Sequence, residues 1–275
     1  MPTITERPVI GFLTDFGFDG AAATCRAVML SVCRDAQIVD ISHAVRKFAV
    51  ADGAFLLRAA LPYFPVGVHV GVVDPGVGTP RRPVAIRTAR GDVLIGPDNG
   101  LLLPAADALG GASEARELTN RDLWLPGTSA TFHGRDIFAP VAARLAAGTA
   151  TFDEVGPPVP LSELVRLPVA RPRVEAGRLA TTVTYVDSFG NLRLGGGRGE
   201  LEKAFAGIDV GTRLRVGIGE VATSVVFAPS FGHVEQGAAL LYVDSTGDLA
   251  LAENQGSLAD RVAATVGTRV EIRPG

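Results

Sequence analysis

Five prolines lie between residues 157 and 172, and they separate two halves of the chain whose sequence patterns differ. Proline fixes φ and has no backbone N–H, so neither a helix nor a central strand runs through such a stretch. A length of 275 residues also suits two domains better than one. We therefore predict a first domain at residues 1–165 and a second at residues 166–275.

The first half alternates short apolar runs with segments rich in helix formers. The apolar runs predict strands at 9–13, 38–41 and 68–73, and a turn at 90–92 joins two more at 84–88 and 93–95. Helices are predicted over 19–32, 50–61 and 135–147. Because apolar strands alternating with helices are typical of a sheet covered on both faces, we predict an α/β domain with a mainly parallel sheet between helices.

The second half has a different pattern, in which glycines divide short β-like runs. These runs lie at 179–186, 214–218, 221–227, 239–243, 249–252 and 270–272. Short strands at regular spacing with turn signals between them are typical of small barrels and sandwiches. We therefore predict a smaller, all-β, barrel-like C-terminal domain.

Composition and charge exclude several classes of protein. The chain is 47% hydrophobic with a net charge of −3, unlike a disordered chain. No apolar stretch reaches the ~18 residues of a membrane span, and the first seven residues lack the features of a signal peptide. The basic residues are scattered along the sequence and leave no nucleic-acid footprint. We expect a cytoplasmic protein that binds neither nucleic acid nor a membrane.

Polar residues follow two of the predicted strands. Asp15 comes just after the first strand and Asp74 just after the third, and ligands of α/β sheets bind beyond the carboxyl ends of strands. The Asp15 carboxylate can accept hydrogen bonds from a ribose diol, or it can form a helix cap or an Asx-turn. Asp74 and Arg81, seven residues apart across a glycine-containing loop, can pair in a ligand site or simply on the surface.

His133 has the most accessible setting of the four histidines, because it lies beside Gly134 at a predicted helix start. Its neutral form is available near pH 7, and Asp136 in the first turn suits the helix dipole. A lone histidine is nevertheless more often structural than catalytic. We interpret the other three as structural: His43, His69 and His233.

Two further polar segments lie in the second half. Asp187, Phe189 and Asn191 place an acid, an aromatic ring and an amide within five residues. Such a set can bind an amine, stack on a base and read the edge of that base, and a plain hairpin connection is the alternative. Residues 244–249 form the second segment, for which a β-turn is the alternative.

Six motifs, taken together and in order, resemble one family. They are Thr14-Asp-Phe-Gly17, Asp74-Pro-Gly-Val-Gly-Thr79, Gly96-Pro-Asp-Asn-Gly100, Thr131-Phe-His-Gly-Arg-Asp136, Asp187-Ser-Phe-Gly-Asn191 and Asn254-Gln-Gly-Ser257. With them the chain resembles, essentially end to end, the S-adenosyl-L-methionine (SAM) hydroxide adenosyltransferases. These are SAM hydrolases related to the fluorinases and chlorinases.

The resemblance implies a catalytic set of Asp74, Arg81 and His133. Halogenating relatives carry tyrosine in place of that aspartate and a Tyr-Ser pair where this chain has His133 and Gly134. The sequence therefore looks like the hydrolase branch. The expected reaction converts SAM and water to adenosine and L-methionine, with no cofactor and no metal.

The resemblance also implies a set of substrate contacts. Asp15 would hold the ribose hydroxyls, with Phe16 beside it and Phe48 as an aromatic wall. In the second half, Asp187 would pair with the methionine ammonium and Phe189 would stack on the adenine face. Asn191 would bond the adenine edge, and Ser245 would contact the methionine carboxylate. Departures from the family pattern at Thr246, Asp248 and Glu253 fall at the methionine end.

The family further implies a homotrimer, with each active site between the N-terminal domain of one subunit and the C-terminal domain of the next. Two other functions stay open at this point. One is a halogenase that forms a 5′-halo-adenosine, and the other is a SAM- or adenosine-binding protein without turnover. The intact Asp/Arg/His set favours the hydrolase over both.

Overall fold

The computed structural model describes residues 7–169 and 171–275, which form two compact units. The division between the units falls between Leu167 and Pro168. Within the described residues, no helix is both long enough and apolar enough to cross a membrane.

The first unit is built on a six-stranded sheet, and the apolar runs predicted five of its strands. Its strands are β1 (Val9–Thr14), β2 (Gln37–Ser42), β3 (Val68–Val72), β4 (Pro83–Thr88), β5 (Val93–Pro97) and β6 (Ala112–Glu117). They lie in the order β2-β1-β3-β5-β4-β6. The β2, β1, β3 and β5 neighbours pair in parallel, whereas β4 pairs antiparallel with both β5 and β6.

Helices cover both faces of this sheet. They are α1 (Ala21–Val32), α2 (Val50–Ala60), α3 (Leu103–Ala108) and α4 (Ala139–Ala146), and a π-helical turn at Gly134–Phe138 leads into α4. Buried side chains of α1 and α4 share one apolar core with the sheet, and those of α2 and α3 share another. The predicted α/β class is therefore confirmed.

Three local differences from the sequence prediction have physical reasons. Helix α1 begins at Ala21 rather than at Asp19, because Gly20 at its N-terminus adopts φ +82° and breaks the helical path. The helix predicted over 135–147 starts as a π-helical turn. Strand β6, the last strand in the sheet order, escaped prediction because it has few apolar residues.

The second unit is a β-barrel with two short helices. Its strands are β7 (Arg173–Glu175), β8 (Arg178–Val186), β9 (Leu192–Gly197), β10 (Arg213–Ile218), β11 (Val221–Phe227), β12 (Ala239–Val243), β13 (Asp248–Glu253) and β14 (Arg269–Pro274). The helices are α5 (Arg198–Ala204) and α6 (Leu258–Val262).

The barrel closes because β14 pairs with β8 as well as with β10. Seven strands thus form a ring in the order β8-β9-β13-β12-β11-β10-β14, and β7 pairs with the start of β8. Alternate residues point inward, so that Leu179, Val216, Leu251 and Ile272 are fully buried in one core. The predicted all-β, barrel-like second half is confirmed.

Candidate active site

A cavity of about 210 Å³ lies at the carboxyl ends of the parallel strands β1 and β3. Asp15 follows β1 directly and Asp74 follows β3 by two residues, and both line it. His133, just before the π-helical turn, lines the cavity as well. This is the edge of a parallel sheet where ligands usually bind.

Arg81 links the two other members of the predicted catalytic set. Its Nε donates to both carboxylate oxygens of Asp74 at 3.0 Å, and its Nη2 donates to Asp74 Oδ2 as well. The same Nη2 donates to Nδ1 of His133 at 2.9 Å. The side chains of Asp74 and Arg81 are 6% and 10% exposed, so this ion pair is well shielded from water.

The hydrogen bond from Arg81 fixes the protonation state of His133. A guanidinium has only donors, so Nδ1 must accept and the ring proton must lie on Nε2. Burial and the positive charge of Arg81 both lower the pKa of His133 below its usual value, against the opposing effect of Asp74. His133 is therefore a neutral imidazole at neutral pH, with Nε2–H as its remaining donor.

A close backbone contact holds the loop of Asp74 and Arg81 against the segment that leads to His133. Gly78, in the loop between Asp74 and Arg81, has φ +77°, and a Cβ there would lie 2.7 Å from the carbonyl oxygen of Ala130. A side chain at position 78 would push apart the loop that carries Asp74 and the segment that leads to His133. Glycine is required here by both conformation and space.

The motif at residues 96–100 had no predicted role. Asn99 Nδ2 donates to the carbonyl oxygen of Val73 at 2.8 Å, one residue before Asp74. Both Nε and Nη2 of Arg82, the neighbour of Arg81, donate to Asp98. This motif therefore fixes the backbone at both ends of the catalytic loop, and the signal was its polar residues directly after a buried strand.

Asp136 is structural rather than part of the pocket. Its carboxylate accepts from Arg135 at 2.6 and 3.0 Å and from the backbone N–H of Ser129 at 2.8 Å. Although burial opposes ionisation, these hydrogen bonds lower the pKa of Asp136. The ionised carboxylate fastens the loop before His133 onto the π-helical turn.

Asp15 lies where a network of hydrogen bonds joins two loops. Its Oδ2 accepts from the backbone N–H of Phe48 at 2.9 Å, and Phe48 itself has φ +67°. Behind it, Thr14 Oγ1 lies 2.8 Å from Nδ1 of His43, and the carbonyl oxygen of His43 accepts from Gly17 N at 2.8 Å. His43 is thus a structural residue, as predicted, but one that supports the pocket.

Two aromatic rings and a lysine complete the wall around Asp15. Phe16 packs edge-on against Phe132, with ring centroids 5.7 Å apart, while Phe48 is 68% exposed. Lys47 also lines the cavity and was missed by the sequence analysis, although it adjoins Phe48. The pocket is thus largely apolar, with its two carboxylates, Lys47 and His133 as titratable groups.

The remaining two histidines have no part in this pocket. His69 is buried, accepts from Gly11 N at 3.2 Å and lies 3.1 Å from Asp92. His233 is exposed and lies 2.9 Å from the hydroxyl of Ser230. Among the described residues, no cluster of three or more histidine, cysteine, aspartate or glutamate side chains could hold a metal ion.

In the second unit, the predicted contact residues share one tight turn between β8 and β9. Asp187 Oδ1 accepts from the backbone N–H groups of Phe189 and Asn191, each at 2.9 Å, and Oδ2 accepts from Asn191 Nδ2 at 2.8 Å. Gly190 has φ +80°, and a Cβ there would collide with Ser257. The turn is rigid, and it leaves the ring of Phe189 76% exposed.

Ser245 lies at the exposed tip of the hairpin between β12 and β13. The hairpin is held by Asp244 Oδ1, which accepts from the backbone N–H of Thr246 at 2.7 Å. Burial, with the nearby carboxylates of Asp187 and Asp244, raises the pKa of Tyr242 to about 12. Tyr242 is therefore near both turns, a proximity that the sequence spacing did not reveal.

Two domain models of one known family match the two halves of the chain. Residues 10–156 match the SAM hydroxide adenosyltransferase N-terminal domain, and residues 181–271 match the C-terminal domain of the same family.

Individual proteins match over nearly the whole chain. A Salinispora tropica protein named (R)-S-adenosyl-L-methionine hydrolase is 45% identical over 99% of this chain and 100% of its own length. A Nocardia brasiliensis protein named fluorinase is 34% identical, and that match covers 98% of each chain. The crystal structure of an uncharacterized conserved protein from Thermotoga maritima is 35% identical, with a TM-score of 0.88 over 96% of this chain and 99% of that one.

Proposed function

The chain belongs to the SAM hydroxide adenosyltransferase family, and we propose that it hydrolyses S-adenosyl-L-methionine to adenosine and L-methionine. The observation that carries this proposal is the shielded Asp74–Arg81–His133 arrangement at the edge of the cavity. It offers a carboxylate and an imidazole N–H on one side of a pocket that is otherwise mostly apolar.

The reaction is a displacement at C5′ of the ribose. A water oxygen forms a bond to C5′ while the bond between C5′ and sulfur breaks, and the electron pair of that bond goes to sulfur. Because a sulfonium leaves readily as a neutral thioether, the site has to hold water in line and take one proton. Alignment of this kind supplies a large part of many rate accelerations.

The geometry favours Asp74 as the group that takes the proton. His133 Nδ1 is occupied by Arg81, so its Nε2–H can only donate, and it can hold the water oxygen. The Asp74 carboxylate, kept in place by Arg81, retains lone pairs for the water proton. In this arrangement Arg81 is a positioning residue, and Asp74 and His133 are the groups that contact water.

Product analysis in heavy-oxygen water tests this function. Adenosine formed from SAM should carry the label at its 5′-hydroxyl, and added chloride or fluoride should yield no halogenated nucleoside. Unlabelled adenosine would exclude attack by water, and a 5′-halo-adenosine would assign the chain to the halogenating branch. Binding of SAM without any turnover would leave a nucleoside-binding protein as the function.

We further propose that the active form is a homotrimer in which a neighbouring subunit supplies Asp187, Phe189, Asn191 and Ser245. The cavity of the first unit, about 210 Å³, is smaller than the roughly 300–1,000 Å³ usual for ligand pockets. It therefore covers only part of a ligand the size of SAM. Light scattering should give a trimer, and a monomer with full turnover would refute this assembly.

Mixed trimers give a sharper test of the shared site. An Asp74→Asn chain and an Asp187→Ala chain, each impaired alone, should recover activity when they are mixed and reassembled, because some sites then combine two intact halves. Recovery would require sites made from two subunits, and its absence in reassembled mixed trimers would place each site within one chain.

We also propose that the enzyme acts in the cytoplasm and needs no cofactor.

A further inference from the structure

A second and larger concavity lies on the outer surface of the barrel, in the second unit. It has a volume of about 1150 Å³ and is formed mainly on β7, β8, β10 and β14. Six arginines line it: Arg171, Arg173, Arg178, Arg215, Arg269 and Arg273. We call this surface the arginine trough.

The register of the strands explains the shape of the trough. The small residues Ala180, Gly217 and Ala222 form a low floor on β8, β10 and β11, and Glu271 on β14 lies in the same row between Ala180 and Gly217. Arginines rise on both sides of this floor. Arg273 faces Arg215 across β14 and β10 on one side, whereas Arg269 faces Thr182 on the other. Long side chains around small ones make the outer face concave.

The charge of the trough differs from that of the chain as a whole. Among the described residues Glu271 is the only carboxylate that lines it, and Glu175 at its edge pairs with Arg178 at 3.4 Å. Six arginines thus face two acids on a chain whose net charge is −3. Glu271 accepts from Arg178 at 3.0 and 3.1 Å and also from Arg273. This carboxylate therefore orients two guanidinium groups and neutralises the charge of one.

The other four arginines have no acidic partner. Arg171, Arg173, Arg215 and Arg269 are exposed, and none forms an ion pair within the described part of the chain. Exposed cations this close together repel one another unless an anion lies between them. Their sequence spacing hides the cluster, because Arg173, Arg215 and Arg269 come from separate strands that the barrel brings together, and Arg171 lies just before β7.

The dimensions and chemistry of the trough indicate the class of anion. Arg269 and Arg273, four residues apart on one strand, are separated by roughly 13 Å, and β10 and β7 by roughly 14 Å. Guanidinium groups bind phosphate oxygens in pairs of hydrogen bonds. No aromatic side chain lines the trough within the described residues, so it lacks a surface on which bases stack. We propose that the arginine trough binds a short oligophosphate chain, either free or carried by a nucleotide.

Calorimetric titration with inorganic tripolyphosphate tests the proposal on the full-length protein. The wild type should bind, and the Arg215→Gln/Arg269→Gln variant should bind at least tenfold more weakly, with a smaller dependence of affinity on salt. The control is Arg198→Gln/Arg261→Gln, which removes the same charge from this unit outside the trough. It should bind as the wild type does. Equal affinity in the two double variants, or no binding to the wild type, would overturn the proposal.

Parallel titrations distinguish the sources of the phosphate chain. Tighter binding of tripolyphosphate than of ATP indicates a free chain, and tighter binding of ATP indicates a nucleotide-borne one, provided that Arg215→Gln/Arg269→Gln weakens both. An oligonucleotide that binds through these arginines when tripolyphosphate does not would refute the proposal in favour of nucleic acid. Turnover of SAM by the Arg215→Gln/Arg269→Gln variant should be unchanged, so this test and that of the hydrolase function fail separately.

Discussion

Asp74 in the first unit and Asp187 in the second are both carboxylates in loops that follow strands, but their partners differ. Asp74 is held by the side chain of Arg81, which also reaches His133, 52 residues further along the chain. Asp187 is held by backbone and side-chain N–H groups of its own turn, no more than four residues away. One carboxylate depends on the tertiary fold and the other on local geometry.

This difference separates two ways of building a site. The Asp74 carboxylate contributes little to the conformation of its own backbone. A substitution there should therefore affect the rate of the reaction more than the stability of the fold. The Asp187 carboxylate shapes its turn, and its charge is available to a ligand as well. Substitutions that remove the charge of each carboxylate but keep its shape therefore test whether that carboxylate acts on the substrate or on its own loop.

The largest effect is expected at Asp74. Asp74→Asn keeps the shape but removes the charge that orients water and takes its proton, so kcat should fall roughly 10²-fold or more. SAM affinity should change little. Arg81→Ala acts through Asp74, and its effect should not add to that of Asp74→Asn in a double-mutant cycle. Steady-state kinetics measures both, and a wild-type kcat in Asp74→Asn would remove Asp74 from the chemistry.

Asp15 should give the next largest effect, on binding rather than on turnover. Asp15→Ala removes the acceptor proposed for the ribose diol, at a cost of about 1.5–3 kcal/mol per charged hydrogen bond. Calorimetry with SAM should show at least tenfold weaker binding. Asp19→Ala, an exposed carboxylate four residues away, is the control and should bind as the wild type does. Unchanged affinity in Asp15→Ala would leave this carboxylate with only its bond to Phe48 N.

Two substitutions at Asp187 separate its turn from its charge. Asn keeps the oxygen that accepts from Phe189 N and Asn191 N but loses the acceptor for Asn191 Nδ2. Asp187→Asn should therefore lower the melting temperature less than Asp187→Ala does, while KM for SAM rises severalfold. Asp187→Ala loses both functions and should also lower the free energy of unfolding by about 1–2 kcal/mol. If KM stays normal in Asp187→Asn, the carboxylate serves the turn alone.

The smallest expected effect is a displacement of the acid limb of the pH profile. Burial and Arg81 lower the pKa of His133, so its neutral form persists to a more acidic pH than that of a free imidazole. Activity should therefore persist at the usual histidine pKa and decline only below it. NMR titration of the His133 ring, assigned by comparison with His133→Asn, measures the same pKa directly. A His133 pKa at or above the usual value would contradict the arrangement with Arg81.

Local pattern was enough to predict most of the fold. The run at 9–13 became β1 (Val9–Thr14) because a buried parallel strand is continuously apolar, and the glycine-separated runs indicated an all-β second unit. Polar edge segments gave no such signal, which is why β6 was missed. The π-helical turn before α4 was missed as well, because its residues fit an ordinary helix.

The contacts of the candidate site were harder to predict from the sequence than the fold was. Pairing of Asp74 with Arg81 was foreseeable because seven residues of tight loop separate them. The bond from Arg81 to His133, the support of Val73 by Asn99 and the convergence of the barrel arginines all join residues that are distant in sequence. A single sequence carries no spacing signal for such contacts, since they depend on how strands are ordered in the sheets.

The contact between Gly134 and Phe16 has a consequence for how the two branches of the family can interconvert. A Cβ at position 134 would lie 2.9 Å from the Phe16 ring, so the serine of the halogenating relatives does not fit while that ring stays in place. A serine at 134 therefore requires the Phe16 ring to move or to be replaced by a smaller side chain. The residue that distinguishes the two branches at position 134 is thus coupled to the wall of the pocket at position 16.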